Sequence, residues 1–288
     1  MEEKIVCEFH EAYIKADRKK LDTLWKESTP STLIKFHPGK YEPNGENFLL
    51  DSISNKTLWL SSPKFFNDPF DCVINVNYYS EAERIRRNYL KKYFDDDNIV
   101  EYLLSFDESE KGLLKFAESL KELNEDINSY FENSIYVSSF SEFDNLKSIR
   151  MWAHYANNHS GVCLEYDFNA VKNASLFGCI PVKYTNDYHY LLDANDVFEN
   201  VANYLKFFTK AKEWEHEREW RVAQKNETIN MNGYKVAFAL PISIYLGCKV
   251  SDKLKDDVMS ICKDKGISLY QMKMNPGSFD IYPEMIEK

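Results

Sequence analysis

The stretch Ser148–Asp167, SIRMWAHYANNHSGVCLEYD, decides the reading of the chain. Ile149, Trp152, Ala153 and Ala156, with Leu146 just before them, recur at helical spacing and turn one stripe of a short helix inward. Lys147, Arg150 and His154 fall on the opposite stripe. Asn157-Asn158 and then Gly161 end the helix, because Asn and Gly tolerate the left-handed backbone that a helix C-terminus often needs. Val162–Tyr166 follows as a strand. Basic, aromatic and acidic side chains are dense here, which marks a site where a helix meets a sheet.

Upstream, Ser134–Ser141 has strand composition, with Ser141 expected to cap the helix that follows. Thr32–His37 reads as a strand stopped by Pro38-Gly39, with Lys35 and His37 on the face opposite Ile34 and Phe36. Phe48–Ser54 is expected as a helix and Thr57–Ser61 as a strand feeding the loop Pro63–Asp71. Asn67-Asp68-Pro69 is turn chemistry, so Asp68 and Asp71 should project from a rigid loop anchored by Phe65, Phe66 and Phe70. Glu2 to Glu27 opens the chain with one or two amphipathic helices.

Downstream, Ile180–Tyr184 is expected as a strand, and Val197, Phe198, Val201, Tyr204, Leu205 and Phe208 mark a helix. Val236–Leu240, Ile242–Leu246 and Ile267–Met272 read as strands, and Asp252–Lys265 as a helix ending at Gly266. From about Ser80 to Asn133 the pattern turns charged and helical, with Ser109 capping a stripe of Leu113, Leu114, Phe116, Ala117, Leu120 and Leu123. This insertion either covers the site or packs on one side of a sheet. The class is α+β: a mixed, mostly antiparallel central sheet with flanking helices and a helical insertion at about 80–133. No compositional linker divides residues 1–288, so one domain is expected.

With 44% hydrophobic residues the chain can build a core, and a net charge of -10 argues against a broad basic surface for nucleic acid or anionic membrane. The six cysteines are scattered without metal-like spacing and read as reduced thiols. The start, MEEKIVCEFHEAYIKADRKK, has no apolar signal core, and no stretch approaches the roughly 18 apolar residues of a membrane span. A cytoplasmic location is expected.

A second run, Lys212–Arg221 (KEWEHEREWR), admits two readings. As a helix it stacks Glu213, Glu217 and Arg221 on a salt-bridged solvent face. Extended from about Glu217, it places Glu217, Glu219 and Arg221 on one face and Arg218, Trp220 and Val222 on the other. Two carboxylates beside a guanidinium suit a cation that appears only in a transition state, such as an oxocarbenium ion. The expectation is that Arg150, Glu217 and Glu219 converge in one cleft.

The succession Asn67-Asp68-Pro69-Phe70-Asp71, Ser139-Phe140-Ser141, Met151-Trp152-Ala153-His154-Tyr155 with Gly161-Val162-Cys163, and Trp214–Arg221 resembles the bacterial family catalogued as domain of unknown function two-nine-seven-one, over roughly Thr32 to Met274. In the order of His37, Ser139 and Ser141, and Glu217-x-Glu219, the chain is also similar to the three-part signature of ADP-ribosyltransferases. That resemblance implies NAD as substrate, Glu219 as the catalytic acid with Glu217 as companion, and His37 and Arg150 holding NAD. Pro38 after His37 and the loose Ser138–Ser141 match depart from that signature.

The leading expectation is therefore an NAD-consuming ADP-ribosyltransferase-like enzyme, an effector in bacterial defence or a toxin, with a macromolecular acceptor. Ser139, Ser141, Trp152, His154, Tyr155 and Arg221 complete its candidate binding residues, and Asn67, Asp68 and Asp71 its structural loop. Trp152 and Tyr155 also read as core, and His154 as a surface residue. One rival is a metal-dependent phosphodiesterase using Asp68, Asp71, His154 and Glu217. Another is a nucleotide-binding or protein-interaction module in which Arg150 and Arg221 grip an anion.

Overall fold

A computed structural model describes residues 1–72, 77–175, 178–187, 202–227 and 232–287. Helices α1 (Glu3–Ile14) and α2 (Arg18–Glu27) lead into strand β1 (Thr32–His37), helix α3 (Phe48–Ser54) and strand β2 (Thr57–Ser61). Helices α4 (Tyr78–Lys92), α5 (Asp97–Leu104) and α6 (Glu110–Ser134) form the insertion. Then come β3 (Ile135–Glu142), α7 (Ile149–Tyr155), β4 (Val162–Asp167), α8 (Phe168–Asn173), β5 (Cys179–Pro181), β6 (Lys183–Tyr184), β7 (Thr209–Lys210) and β8 (Glu219–Lys225). The chain closes with β9 (Gly233–Ala237), β10 (Ser243–Leu246), α9 (Asp252–Lys265), β11 (Ser268–Met274) and β12 (Ile281–Glu287).

The fold is α+β around a mixed, mostly antiparallel sheet, in the order β12-β11-β10-β4-β1-β3-β2-β9, with β10 and β11 parallel. The sheet forks at β3. Strand β8 runs the length of one side of β3, from Ile135↔Lys225 to Ser141↔Glu219, and carries β5 on its far edge. On the other side β1 holds β3 only at Leu33↔Glu142 and Ile34↔Ser141, and β2 joins it at Ser61↔Val137. Between those contacts β1 and β2 diverge, and a gap opens beside Ser138 and Ser139.

Strand alternation explains why both faces of the sheet are covered. Leu33, Tyr166, Phe140, Trp220 and Val222 join the larger core under α1, α2 and α8, where Trp220 sits edge-on to Phe9 and Phe168 at 5.7 and 5.2 Å. Ile34, Cys163, Tyr245 and Met272 face the other way onto Leu146 and Trp152. The insertion buries Tyr78, Ile85, Tyr89, Leu103, Phe116 and Leu120 in a cluster of its own, while Leu114 and Leu123 are exposed. No described residue of α4–α6 lines either of the two cavities at the fork.

Local chemistry sets the boundaries. Ser109 caps α6 by accepting from the Gly112 N–H, and Ser148, not Ser141, caps α7 by accepting from the Met151 N–H. Ser141 instead stays in β3, which continues to Glu142 before a 3-10 turn over Phe143–Lys147. After α7, Asn157, Asn158 and His159 take φ of 47°, 55° and 69°, the left-handed turn that returns the chain to the sheet. Gly161 is needed there for a close approach, since a Cβ would lie 2.3 Å from the His37 carbonyl oxygen.

Ile149, expected inward, is exposed, because the 3-10 turn before it rotates the helix. Ile180–Tyr184 is broken into β5 and β6 rather than continuous. The helix expected through Val197–Phe208 lies outside the described residues up to 201, and Ala202–Phe208 forms a 3-10 helix. None of the six cysteines is paired, and Cys72, Cys163, Cys179 and Cys262 are buried.

Candidate functional site

The run Lys212–Arg221 is both of its readings in succession. Lys212–Glu217 winds as a 3-10 helix, Arg218 turns left-handed at φ 45°, and β8 starts at Glu219. A non-glycine residue in that region costs about 1–2 kcal/mol, and the surroundings hold it. The Arg218 side chain donates to Asp144 at 2.7 Å, its carbonyl accepts from the Glu142 N–H, and Asn145 donates to the Glu217 carbonyl at 2.6 Å. The turn brings the carboxyl groups of Glu217 and Glu219 to one place although they precede and follow the reversal.

Antiparallel pairing then does the rest. Ser139 faces Arg221 and Ser141 faces Glu219 across β3–β8, so all four share one face, with Phe140 and Trp220 on the other. Arg221 is fully buried there. Its Nη1 and Nη2 donate to both oxygens of Asp71 at 2.8 and 2.7 Å, and its Nε and Nη2 to both oxygens of Glu219 at 2.8 and 3.0 Å. The Phe66 ring lies 5.5 Å from the guanidinium carbon. Lys210, from β7, inserts its ammonium among three carboxylates: Glu217 at 2.6 Å, Glu219 at 3.4 Å and Asp71 at 3.6 Å.

The electrostatics follow from this geometry. Burial opposes ionisation of Asp71 and Glu219, but the attraction of Arg221, with Lys210 behind it, outweighs burial and holds both carboxyls below their ordinary range. Burial likewise opposes the Lys210 charge, and Glu219, Glu217 and Asp71 overcome it, so its ammonium is held above the ordinary value. Tyr155 donates its hydroxyl to Glu217 at 2.5 Å, and burial together with Glu217 pushes its phenol well up. Three carboxylates against two cations leave the cluster with a formal charge of −1, from Asp71, Glu217, Glu219, Lys210 and Arg221.

Both oxygens of Glu219 are occupied, one by Arg221 and the other by Arg221 and Lys210. Glu217 receives one donor on each oxygen, Tyr155 and Lys210, and keeps the greater spare accepting capacity. These groups line a cavity of about 180 Å³ whose other walls include Ile34, Phe36, Phe66, Asn67, Phe140 and Met151. A second cavity of about 500 Å³ lies at the fork and shares Lys35, Phe36, Phe66 and Ser139 with the first.

Of the residues singled out in the sequence, the fold gathers Glu217, Glu219, Arg221, Ser139, Ser141, Tyr155, Asn67 and Asp71 around the smaller cavity. His37 lines the larger one. Arg150 and His154 are exposed and line neither, because they occupy the outer stripe of α7. The expected convergence of Arg150 with Glu217 and Glu219 does not occur. Trp152 is a core residue, donating to the Leu146 carbonyl at 2.7 Å and packing edge-on to Phe36. Asp68 fixes its loop by accepting from the Phe70 N–H, but Phe65 and Phe70 point outward and only Phe66 packs inward.

Sequence reasoning missed Lys210 and Tyr184, whose hydroxyl accepts from the Glu219 N–H at 2.8 Å. The signal for Lys210 was a lysine closing the apolar run Phe207-Phe208-Thr209, where a charge needs partners. Lys35 was noted for its strand face without a role. Its amine donates to Ser138 Oγ and the Ser139 carbonyl, both at 2.9 Å, and so takes up the β3 edge that β1 and β2 leave unpaired.

Among the described residues, no three His, Cys, Asp or Glu side chains are grouped to hold a metal ion. The donor set of the phosphodiesterase reading is therefore not assembled: the Lys210 ammonium occupies the centre of the carboxylates, and His154 is elsewhere. Among the described residues, no helix is long and apolar enough to cross a membrane.

Residues 151–222 match the family described as Protein of unknown function (DUF2971). The match spans α7, β4 and the start of β8, and is narrower than the Thr32–Met274 resemblance, leaving out Asn67–Asp71 and Ser139–Ser141. No curated protein and no solved structure matches the chain.

Proposed function

We propose that the protein transfers a glycosyl group from a positively charged N-glycoside, NAD being the leading candidate, in the manner of an ADP-ribosyltransferase. The observation that carries this reading is the buried cluster of three carboxylates lining the smaller cavity, with Glu217 its most available member. In such a reaction the C1′–N bond breaks, its electron pair neutralises the departing pyridinium nitrogen, and positive charge develops on the ribosyl ring. Fixed carboxylates in a dry pocket favour that charge. An acceptor or water then bonds to C1′ and gives up a proton, for which Glu217 is the nearest base with spare lone pairs.

The roles of the two glutamates are reversed relative to the sequence resemblance. Glu219 is held as an anion by Arg221 and Lys210, which suits field and positioning, whereas Glu217 and Tyr155 face the cavity with capacity to spare. Ser139 and Ser141 offer hydroxyls beside them, and Phe36 and Met151 supply apolar wall for a flat ring. A role in bacterial defence or as a toxin remains part of the proposal through the family resemblance alone.

Incubation with NAD should release nicotinamide, and Glu217→Gln should remove that release while the chain stays folded. Absence of turnover with water or any protein acceptor would instead support a non-catalytic binding module. The complete pairing of Asp71 and Glu219 by Arg221 favours that second reading, since such a network is also a structural strut.

A further inference from the structure

The larger cavity differs from the smaller in size and in the charges that line it. Its volume of about 500 Å³ lies within the usual range of about 300–1,000 Å³ for small-molecule sites. No described Asp or Glu lines it, and Lys235, which does, is ion-paired with Asp51. Lys35 stands at the partition between the two cavities and, among the described residues, makes no ion pair. With two acceptors engaged, its ammonium keeps a third N–H uncommitted.

Among the further polar groups lining the same space, His37 and Thr57 have donors to offer. His37 Nδ1 accepts from the Gly39 N–H, which leaves the ring proton on Nε2 as an uncharged donor. Burial and then the Lys35 charge lower this histidine to a pKa of about 4, so it stays neutral. The Thr57 hydroxyl is buried without a hydrogen-bond partner among the described residues. Buried polar groups of this kind are ordinarily satisfied, and a ligand would satisfy them. Phe36 and Tyr166 form aromatic wall, and the half-open rings of Trp59 and Phe48 stand at the rim.

We infer that this cavity binds a nucleoside 5′-phosphate, with Lys35 holding the phosphate and the aromatic rim stacking the base. Lys35, the cation here without a carboxylate partner among the described residues, suits an anion together with the neutral donors, Lys235 being paired with Asp51, and flat rings suit a purine or pyridine face better than an alkyl chain. For NAD as occupant the inference rests on the glycosyl-transfer reading, because the phosphates would then reach across the partition. For AMP it does not.

Isothermal titration of the whole chain with AMP, adenosine and inorganic phosphate at pH 7 tests this. AMP should bind at least tenfold more tightly than adenosine, Lys35→Met should erase that preference, and Trp59→Ala should weaken AMP about tenfold. Raising the pH to 9 should also weaken AMP about tenfold, since Lys35, drawn down to about 8 by burial against the pull of Glu219 on β8, then loses its charge. His37 on β1 and Tyr166 on β4 line the same cavity and stay uncharged over that interval, and Lys235 there is ion-paired with Asp51.

No AMP binding, or equal binding of AMP and adenosine, overturns the inference. So does a phosphate preference that survives Lys35→Met in a chain with an unchanged circular dichroism spectrum. AMP binding without nicotinamide release would sink the glycosyl-transfer reading and leave this one standing.

Discussion

Two lysines line the smaller cavity and are pushed in opposite directions. Lys210 is buried among Asp71, Glu217 and Glu219 and is held more firmly charged than usual. Among the described residues Lys35 donates hydrogen bonds only to a hydroxyl and a carbonyl, and burial draws it down to about 8. Burial by itself penalises both charges, so carboxylate partners decide the sign. One lysine belongs to a closed ionic network; the other is a cation whose counter-ion has been left out.

The largest test of this contrast removes Arg221, the cation that holds Asp71 and Glu219. Arg221→Met leaves Asp71 and Glu219 buried beside Lys210 alone and should cost about 3–5 kcal/mol, read as a lowered urea midpoint. A cost no larger than that of a surface substitution would mean the cluster is not a tied unit.

Next in size, Glu217→Gln should lower nicotinamide release about 100-fold or more, with a smaller effect on the urea midpoint than Arg221→Met. If Glu219→Gln alone abolished release in a folded chain, the roles assigned to the two carboxylates would be exchanged.

Acid should undo the network. Asp71 and Glu219 have folded pKa values below their unfolded ones, so their stabilisation is present above the ordinary carboxylate range and is lost as pH falls through the folded values. Thermal melts of the wild type should therefore fall steeply below about pH 4, and Arg221→Met should flatten that slope.

Lys35 gives a slope of the same sign in a higher window, but there it is the charged form that costs stability. Its folded pKa lies below the unfolded one, so the unfolded chain binds the extra proton between about 8 and 10.5 and stability rises with pH across that window. Lys35→Met should thus stabilise the fold at pH 7 by about 1–2 kcal/mol while losing ligand, a trade of stability for function. A destabilised Lys35→Met would show that the amine's bonds to Ser138 and Ser139 outweigh its burial. The smallest effects belong to the outer stripe of α7, where Arg150→Ala and His154→Ala should change stability by no more than about 0.5 kcal/mol and turnover by no more than about twofold.

Much of the architecture was written locally. Period-two alternation in Thr32–His37 and Ser134–Ser141, the Asn157-Asn158 and Gly161 turn, and the Asp252–Lys265 helix closed by Gly266 each follow from neighbouring residues, and each is present in the fold. Within the candidate site, Glu217, Glu219 and Arg221 were legible because charges so close in sequence demand an explanation. Arg150 was misread because helical spacing identifies a stripe without saying which stripe faces the sheet. Lys210 and Asp71 lie 7 and 150 residues from the glutamate and arginine that they pair with, a separation no local pattern crosses.

The sequence by itself determined the class, a mostly antiparallel α+β sheet, and the kind of side chain gathered in Lys212–Arg221, since both depend on periodicity and composition. Tertiary structure alone decided that Lys212–Arg221 is helix and strand joined at a left-handed Arg218, because only the partners Asp144, Asn145 and Glu142 hold that reversal. It decided also where β1 and β2 part along β3. That fork gives Lys35 its unpaired edge and separates a cavity lined by three carboxylates from one in which no described Asp or Glu takes part, through contacts between strands that no residue can anticipate from its neighbours in the chain.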